Sequence, residues 1–376
     1  MDDTIRLGSG GPLDRLERAT HLKLRGLVLA SIALTWLPLV VLSAAEFAVT
    51  HKLDPLLRFP SVHARFLVAV PLLLFAQRLI DRTGGSAANR LFEEGILDGE
   101  GAVRVRSTLR AIDRLCTSAW PEIVILCVAV AASASGWSVD VHGPGISHAL
   151  PRHGVVSRWF FFVSLPVFQF LLWRSVFRWA LWVRILYVVS RAPLRLLATH
   201  ADRRGGIAFL KRPSVGYCVM LLTAVSTVLV SSWANEVRSY SAPLAAFKSM
   251  FYVFVVVGAV VAFAPLLFFA RKLFTLRHEG RHRFDRLLGE YSVRFEERWF
   301  SGEHRDDLLG TPDAQSLADL GNTYRECVDE IQPLLFGRKD VMALFLAAQI
   351  PALPLILAQP GARDALTRVL KLAVGG

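Results

Sequence analysis

Residues 249–270 read SMFYVFVVVGAVVAFAPLLFFA, an unbroken apolar run, and Arg271 and Lys272 follow it at once. A helix rises about 1.5 Å per residue and a bilayer's hydrocarbon core is about 30 Å thick, so this is the length of a membrane crossing. Five runs of similar character precede it, at 26–45, 61–80, 121–138, from 159 to about 189, and 215–234. A seventh, 341–357, is short and holds Pro351 and Pro354, so it spans, kinks or re-enters. Whole-chain composition agrees: 53% of residues are hydrophobic, 20% are charged, and mean hydropathy is +0.42. A water-soluble globule of that composition would leave too much apolar surface uncovered. The first run has the small residues Ser43, Ala44 and Ala45 at its end, but 20 apolar positions after 25 mixed-charge residues predict an uncleaved anchor rather than a signal peptide.

The basic residues fix the expected orientation. Lys and Arg number five before the first run, then Lys52 and Arg58, then seven from Arg78 to Arg114. Arg152 and Arg158 follow, then six from Arg191 to Arg212, then Arg238 and Lys248, then twelve from Arg271 to Lys339. Rich and poor loops alternate, which places the N-terminus, 81–120, 191–214 and 271–340 in the cytoplasm. The same pattern accounts for the net charge of +12 without nucleic acid, because the charge is divided among membrane-flanking loops instead of gathered on one soluble module.

The expected fold is therefore all-α, a polytopic transmembrane helical bundle of six or seven spans with a cytoplasmic helical extension. Its parts are a cytoplasmic segment 1–25, a six-helix bundle 26–270 with an amphipathic insert 81–120, the extension 271–340, and a last hydrophobic segment and tail 341–376. In the insert, Val105, Leu109, Ile112 and Cys116 recur at helical spacing among Arg104, Arg106, Arg110 and Arg114, a pattern suited to a helix on anionic headgroups. In the extension, Phe284, Leu287, Leu288, Tyr291, Phe295 and Trp299 form one stripe, on a helix that continues from the sixth span and bends at Gly280. Thr311, Pro312 and Asp313 start a second helix carrying Leu317, Leu320, Tyr324, Val328 and Ile331. These stripes need partners, which self-pairing, the bundle or a neighbouring subunit would supply. Cys116, Cys127, Cys218 and Cys327 stand far apart and read as reduced packing residues.

Four constellations could carry chemistry. The first is on the fourth span, where Arg174, Arg178, Arg184, Arg191 and Arg195 fall on one side of a helical wheel. Charge inside a membrane costs roughly 2.5 to 3.5 kcal/mol per residue on insertion scales and marks function by default. Such a stripe lines an anion pathway or pairs with carboxylates such as Glu46 or Glu122. It also has an interfacial reading, in which the arginines snorkel and Trp173, Trp179 and Trp182 form an interfacial belt.

The second is THADRRGGIAFL, 199–210, which crowds His200, Asp202 and Arg203 beside Gly205 and Gly206. It suits anion binding, a proton relay, or a salt-bridged loop that orients the fifth span. The third, His278-Glu279-Gly280-Arg281-His282, satisfies H-E-x-x-H, yet Arg277, Arg281 and Arg283 around it oppose a divalent cation and Gly280 weakens the helix. The fourth is the set His51, His63, His142, His148 and His153 with Asp54 and Asp140 on the opposite side, whose spacing matches no ligand motif.

His200-x-Asp202-Arg203-x-Gly205-Gly206, together with GTPDAQSLADLGNTY at 310–324, resembles a group of uncharacterised bacterial multi-pass inner-membrane proteins. That group usually has proline where Ala201 stands. The resemblance implies location in the inner membrane and brings no activity or catalytic residue.

No Walker lysine loop, Rossmann fingerprint, G-x-S-x-G elbow or haem-attachment pair occurs, so no cofactor is expected. The expected function is an ion or small-solute channel or carrier, leaning towards anions, that is not an enzyme. Its partners would be the lipid bilayer including anionic lipids, further copies of itself, and a cytoplasmic protein. The competing expectations are a membrane sensor or scaffold whose cytoplasmic helices bind that protein, and a membrane-anchored zinc peptidase.

Overall fold

Prolines divide the long apolar runs into helices whose turns widen or tighten where the proline falls. A proline lacks the N–H that would bond four residues back, and its ring crowds that carbonyl. In the computed structural model, which describes residues 23–51, 55–134, 154–240, 244–300 and 312–357, the turn before Pro71 opens into a wide π-type turn at Arg65–Ala69. The turn before Pro166 does the same at Phe160–Ser164. Pro265 and Pro351 instead sit in tight turns, Ala264–Phe269 and Ile350–Ala352. Each device lets a helix continue past its proline without an interior break.

The described residues form an all-α bundle. Helix α1 is Leu24–Thr50, with a break at Trp36, α2 is Pro60–Glu93, and α3 and α4 are Gly99–Thr117 and Trp120–Ala134. Val155–Arg191 is α5, Lys211–Tyr240 is α6, Lys248–Trp299 is α7, Asp313–Thr323 is α8, and Arg338–Leu357 is α9. Six of these, α1, α2, α5, α6, α7 and α9, are long and apolar enough to cross a membrane, and the α3–α4 pair, bent by 52°, would make a seventh. This is the architecture of a multi-pass membrane protein. Exposed apolar residues such as Val41 and Phe47 on α1, Ile123 and Leu126 on α4, and Val253, Val256 and Val257 on α7 present surfaces suited to hydrocarbon.

The segment 81–120 differs from its expected form. Residues 81–93 complete α2, and α3 then folds back after a turn in which Gly95 and Gly99 take positive φ. Val105, Leu109 and Ile112 are buried in one core with Trp182, Ile185 and Val189 of α5. The apolar side of this amphipathic helix is thus covered by protein rather than by headgroups, while Arg104, Arg106, Arg110 and Arg114 remain exposed. At the C-terminal end of α5, Pro193 holds Ala192 extended, and Arg195 N donates to Ile96 O at 2.8 Å. Gly101 is required here, since a Cβ would lie 2.9 Å from Pro193 Cδ.

Helix α7 continues from the apolar stretch into a charged one, as expected, and runs unbroken through Gly280. A Cβ at Gly280 would stand 2.9 Å from Ala198 Cβ, so the glycine allows the 195–207 loop to lie directly on the helix. The stripes of the extension pair with each other: Phe284 meets Tyr324 at 6.2 Å between rings, Tyr291 Oη donates to Asp313 O at 3.2 Å, and Arg298 pairs with Asp313 at 3.0 Å. The last segment runs parallel to α6. Lys211 pairs with Asp340 at 3.0 Å, Ser226 Oγ donates to Ala348 O at 2.7 Å, and Trp233 shares a small core with Ala352.

Candidate functional site

Gln77 and Asp81 are one turn apart on α2, and Arg174 and Arg178 are one turn apart on α5, so each helix presents two polar groups on one face. The two rows meet in register. Arg174 hydrogen-bonds Gln77 and Arg178 forms an ion pair with Asp81. Glu122, from the first turn of α4, closes the first rung, accepting from Arg174 Nε at 2.8 Å. Gln77 Nε2 donates to Leu171 O at 3.0 Å and Ser175 Oγ at 2.9 Å, which fixes the amide so that its oxygen faces the guanidinium. From α6, Tyr217 Oη donates to Ser175 O at 2.7 Å and its ring stacks on Trp179 at 5.9 Å.

Arg174 and Arg178 are 3% and 8% exposed, near the middle of a 37-residue helix. Two cations and two carboxylates balance formally, which is the condition under which buried charge is tolerated. Beside Arg178 and Asp81 lies a cavity of about 30 Å³ whose other walls are Ile80, Ile112, Cys116 and residues of α5. That is room for about two waters.

The arginines first read as one stripe do not stay together. About 100° of rotation per residue puts Arg184 about 120° round α5 from Arg178, and it is exposed, as are Arg191 and Arg195. Arg191 lies over the Tyr187 ring at 5.3 Å. Arg174 and Arg178 are buried against neighbouring helices rather than snorkelling outward, and Trp179 and Trp182 are buried as well, Trp182 Nε1 donating to Ser214 Oγ at 2.9 Å. Gln77, Asp81, Ser175 and Tyr217 were not singled out from the sequence. The i, i+4 placement of Gln77 and Asp81 at the end of an apolar run was the available signal.

The His200–Gly206 loop is built around Asp202. Its Oδ1 accepts from Arg204 N at 2.8 Å and Gly206 N at 3.0 Å, and its Oδ2 from Ala208 N at 3.0 Å. Burial alone would raise the carboxyl pKa, but these three donors and the adjacent His200 outweigh it and hold Asp202 below the usual carboxylate range. His200 Nδ1 is 3.0 Å from Asp202 Oδ1 and 3.2 Å from Asp202 N, so it serves as donor or acceptor according to its protonation. Arg203, Gly205 and Gly206 all take positive φ. Arg203 O accepts from Gln332 N at 2.9 Å, the Arg203 side chain pairs with Glu330, and Arg204 Nε donates to Leu334 O at 3.0 Å. The loop is thereby a joint holding the 328–337 segment against α7, with the Asp202 oxygens occupied by backbone donors.

His278 and His282 face each other on α7, Nε2 to Nε2 at 3.2 Å, and Glu279 pairs with Arg283 at 3.5 Å. Among the described residues no group of three His, Cys, Asp or Glu side chains is arranged to hold a metal ion. His63 is half-buried, between Trp36 Nε1 at 3.0 Å and Leu57 O at 2.9 Å, and His51 is exposed at the end of α1. His142, His148, His153, Asp54 and Asp140 lie outside the described residues, as do residues 1–22 and 358–376 of the terminal segments. No protein family, curated protein or solved structure matches the chain.

Proposed function

We propose that this chain is a carrier or channel for a small anion in a bacterial inner membrane, with the Arg174–Arg178 face of α5 as its binding element. One observation carries the reading: two arginines, buried in the middle of an apolar helix, held by groups from two other helices. Charge at such a position is costly enough to be a functional marker by default. The cavity beside Arg178 and the two waters it has room for support the reading further. Charge alternation along the sequence supports a cytoplasmic N-terminus, and resemblance to bacterial inner-membrane proteins supports the location. Exposed Leu287 and Val293 on the α7 extension are contacts a second copy of the chain would cover.

The test is uptake of chloride, nitrate and phosphate into proteoliposomes holding the purified protein. Uptake of at least one, reduced at least tenfold in both Arg174→Gln and Arg178→Gln, is the expected result. No uptake of any of the three ends the transport reading. The same exposed Leu287 and Val293 favour a scaffold as the second reading. Its test is specific retention of a cytoplasmic protein by the full-length chain that is lost on Leu287→Glu with Val293→Glu.

A further inference from the structure

The two rungs of the buried cluster are not equivalent. Arg174 is held by Glu122 and by a glutamine that is itself fixed through Leu171 and Ser175. Arg178 pairs with Asp81, and both line the cavity. The cavity walls are otherwise Ile80, Ile112, Leu181, Trp182, Ile185 and the Cys116 thiol, a lining that offers a bare guanidinium no partner, while Asp81 is 22% exposed at its rim. If the pair is to open, the buried Arg178 needs another anion, and a proton taken up by the more accessible Asp81 keeps the cluster neutral.

We infer that Asp81 is a proton-coupling group: an entering monovalent anion replaces its carboxylate on Arg178 while Asp81 takes up one proton. This rests on the transport reading above. The balance is simple. One anion and one proton enter, the Arg178–Asp81 ion pair becomes an Arg178–anion pair beside a neutral carboxylic acid, and the net charge of the cluster does not change. Release of the anion returns the proton and re-forms the pair. Arg178 of α5 pairs with Asp81, Cys116 of α3 and Tyr217 of α6 lie within electrostatic range of it, Arg174 and Asp113 lie within range of that same Cys116, and Glu122 of α4 is held one rung away on Arg174. Of the carboxylates, Asp81 is the one that lines the cavity. The corner between α3 and α4, bent by 52°, lies immediately after Cys116, so the cavity wall ends where the chain changes direction.

The experiment measures protons and anions together. Proteoliposomes loaded with a pH-sensitive dye receive an inward chloride or nitrate gradient, and the proton-to-anion ratio is read with the membrane potential clamped at zero. Wild type is expected to give a ratio near one. Asp81→Asn, which cannot take up the proton, is expected to give a ratio at least fivefold lower, and Asp81→Glu to restore most of it. Anion uptake by wild type without proton movement, or a ratio unchanged in Asp81→Asn, overturns the coupling while leaving transport standing. Absence of anion uptake overturns transport and the coupling with it. Should Asp81→Asn fail to assemble, the wild-type ratio and that of Asp81→Glu decide the matter.

Discussion

Arg174 Nε donates to Glu122 Oε1 at 2.8 Å, across the contact between α4 and α5, and neither side chain is substantially exposed. A pair of this kind holds helices in register more than it stabilises them, because desolvating both ions offsets much of their attraction. Removing one member is another matter, since it strands the other. Glu122→Leu is expected to cost about 3 to 5 kcal/mol, and Arg174→Leu a similar amount. Glu122→Leu with Arg174→Leu together should lie far closer to wild type than the single changes sum to. Unfolding of the purified protein in mixed micelles by increasing fractions of denaturing detergent, run as a double-mutant cycle, checks this; additive losses would contradict it.

The loop joint makes a sharper steric prediction. Gly205 has φ +67°, and a Cβ there would come within 2.7 Å of Leu276 Cδ2 and 3.1 Å of Leu196 Cβ. Gly205→Ala combines left-handed strain of about 1 to 2 kcal/mol with that crowding. Gly280→Ala has no strain in φ but meets Ala198 Cβ at 2.9 Å, a rigid atom. Both substitutions should loosen the contact of the loop with α7, measured as faster proteolysis between residues 195 and 207. Gly289→Ala, with open space around it, should if anything stabilise the helix by about 1 kcal/mol.

Much of this fold is written in residue types that report on their own surroundings. Apolar runs of about 20 residues announce helices able to cross a membrane because the constraint is a length, and length is visible in sequence. Partners are different. Arg174 carries no mark showing that Gln77, 97 positions away, would meet it, and Val105, Leu109 and Ile112 form a stripe that suits headgroups and a protein core equally well. Only the packing of α3 on α5 decides between them. The same holds for Gly280, whose helix-weakening tendency suggested a bend although its use is close approach to Ala198. Asp202 was recognisable as special from its neighbours Gly205 and Gly206, but the three backbone donors that occupy it depend on a turn that no spacing rule specifies.

At the start of α9, Asp340 serves two elements. It accepts from Gly337 N at 2.8 Å, which caps its own helix, and from Lys211 Nζ at 3.0 Å, which ties that helix to α6. Asp340→Ala removes both and is expected to cost about 1 to 2 kcal/mol, with the cap as the larger share. Lys211→Met leaves the cap in place and should cost less than about 1 kcal/mol. Hydrogen exchange over 338–349 separates the two, and equal loss of protection in both variants would show that the ion pair dominates.

Asp202, outside the membrane-crossing helices, gives a pH dependence whose sign follows from its hydrogen bonds. Its carboxyl is held below the ordinary value of 3.8 in the folded loop, so the charged form is the stabilising one. The contribution is fully present above that ordinary value and is lost as pH falls through the lower, folded one. Protection of the Gly206 and Ala208 amides, corrected for intrinsic exchange, should therefore stay flat from about pH 8 to about pH 5 and fall only below about pH 4. Asp202→Asn keeps the size but loses the charge and one acceptor oxygen, so it should lower protection by about 1.5 to 3 kcal/mol at neutral pH and remove the acid-dependent step. A wild-type transition centred near neutrality would overturn the assignment of this step to Asp202.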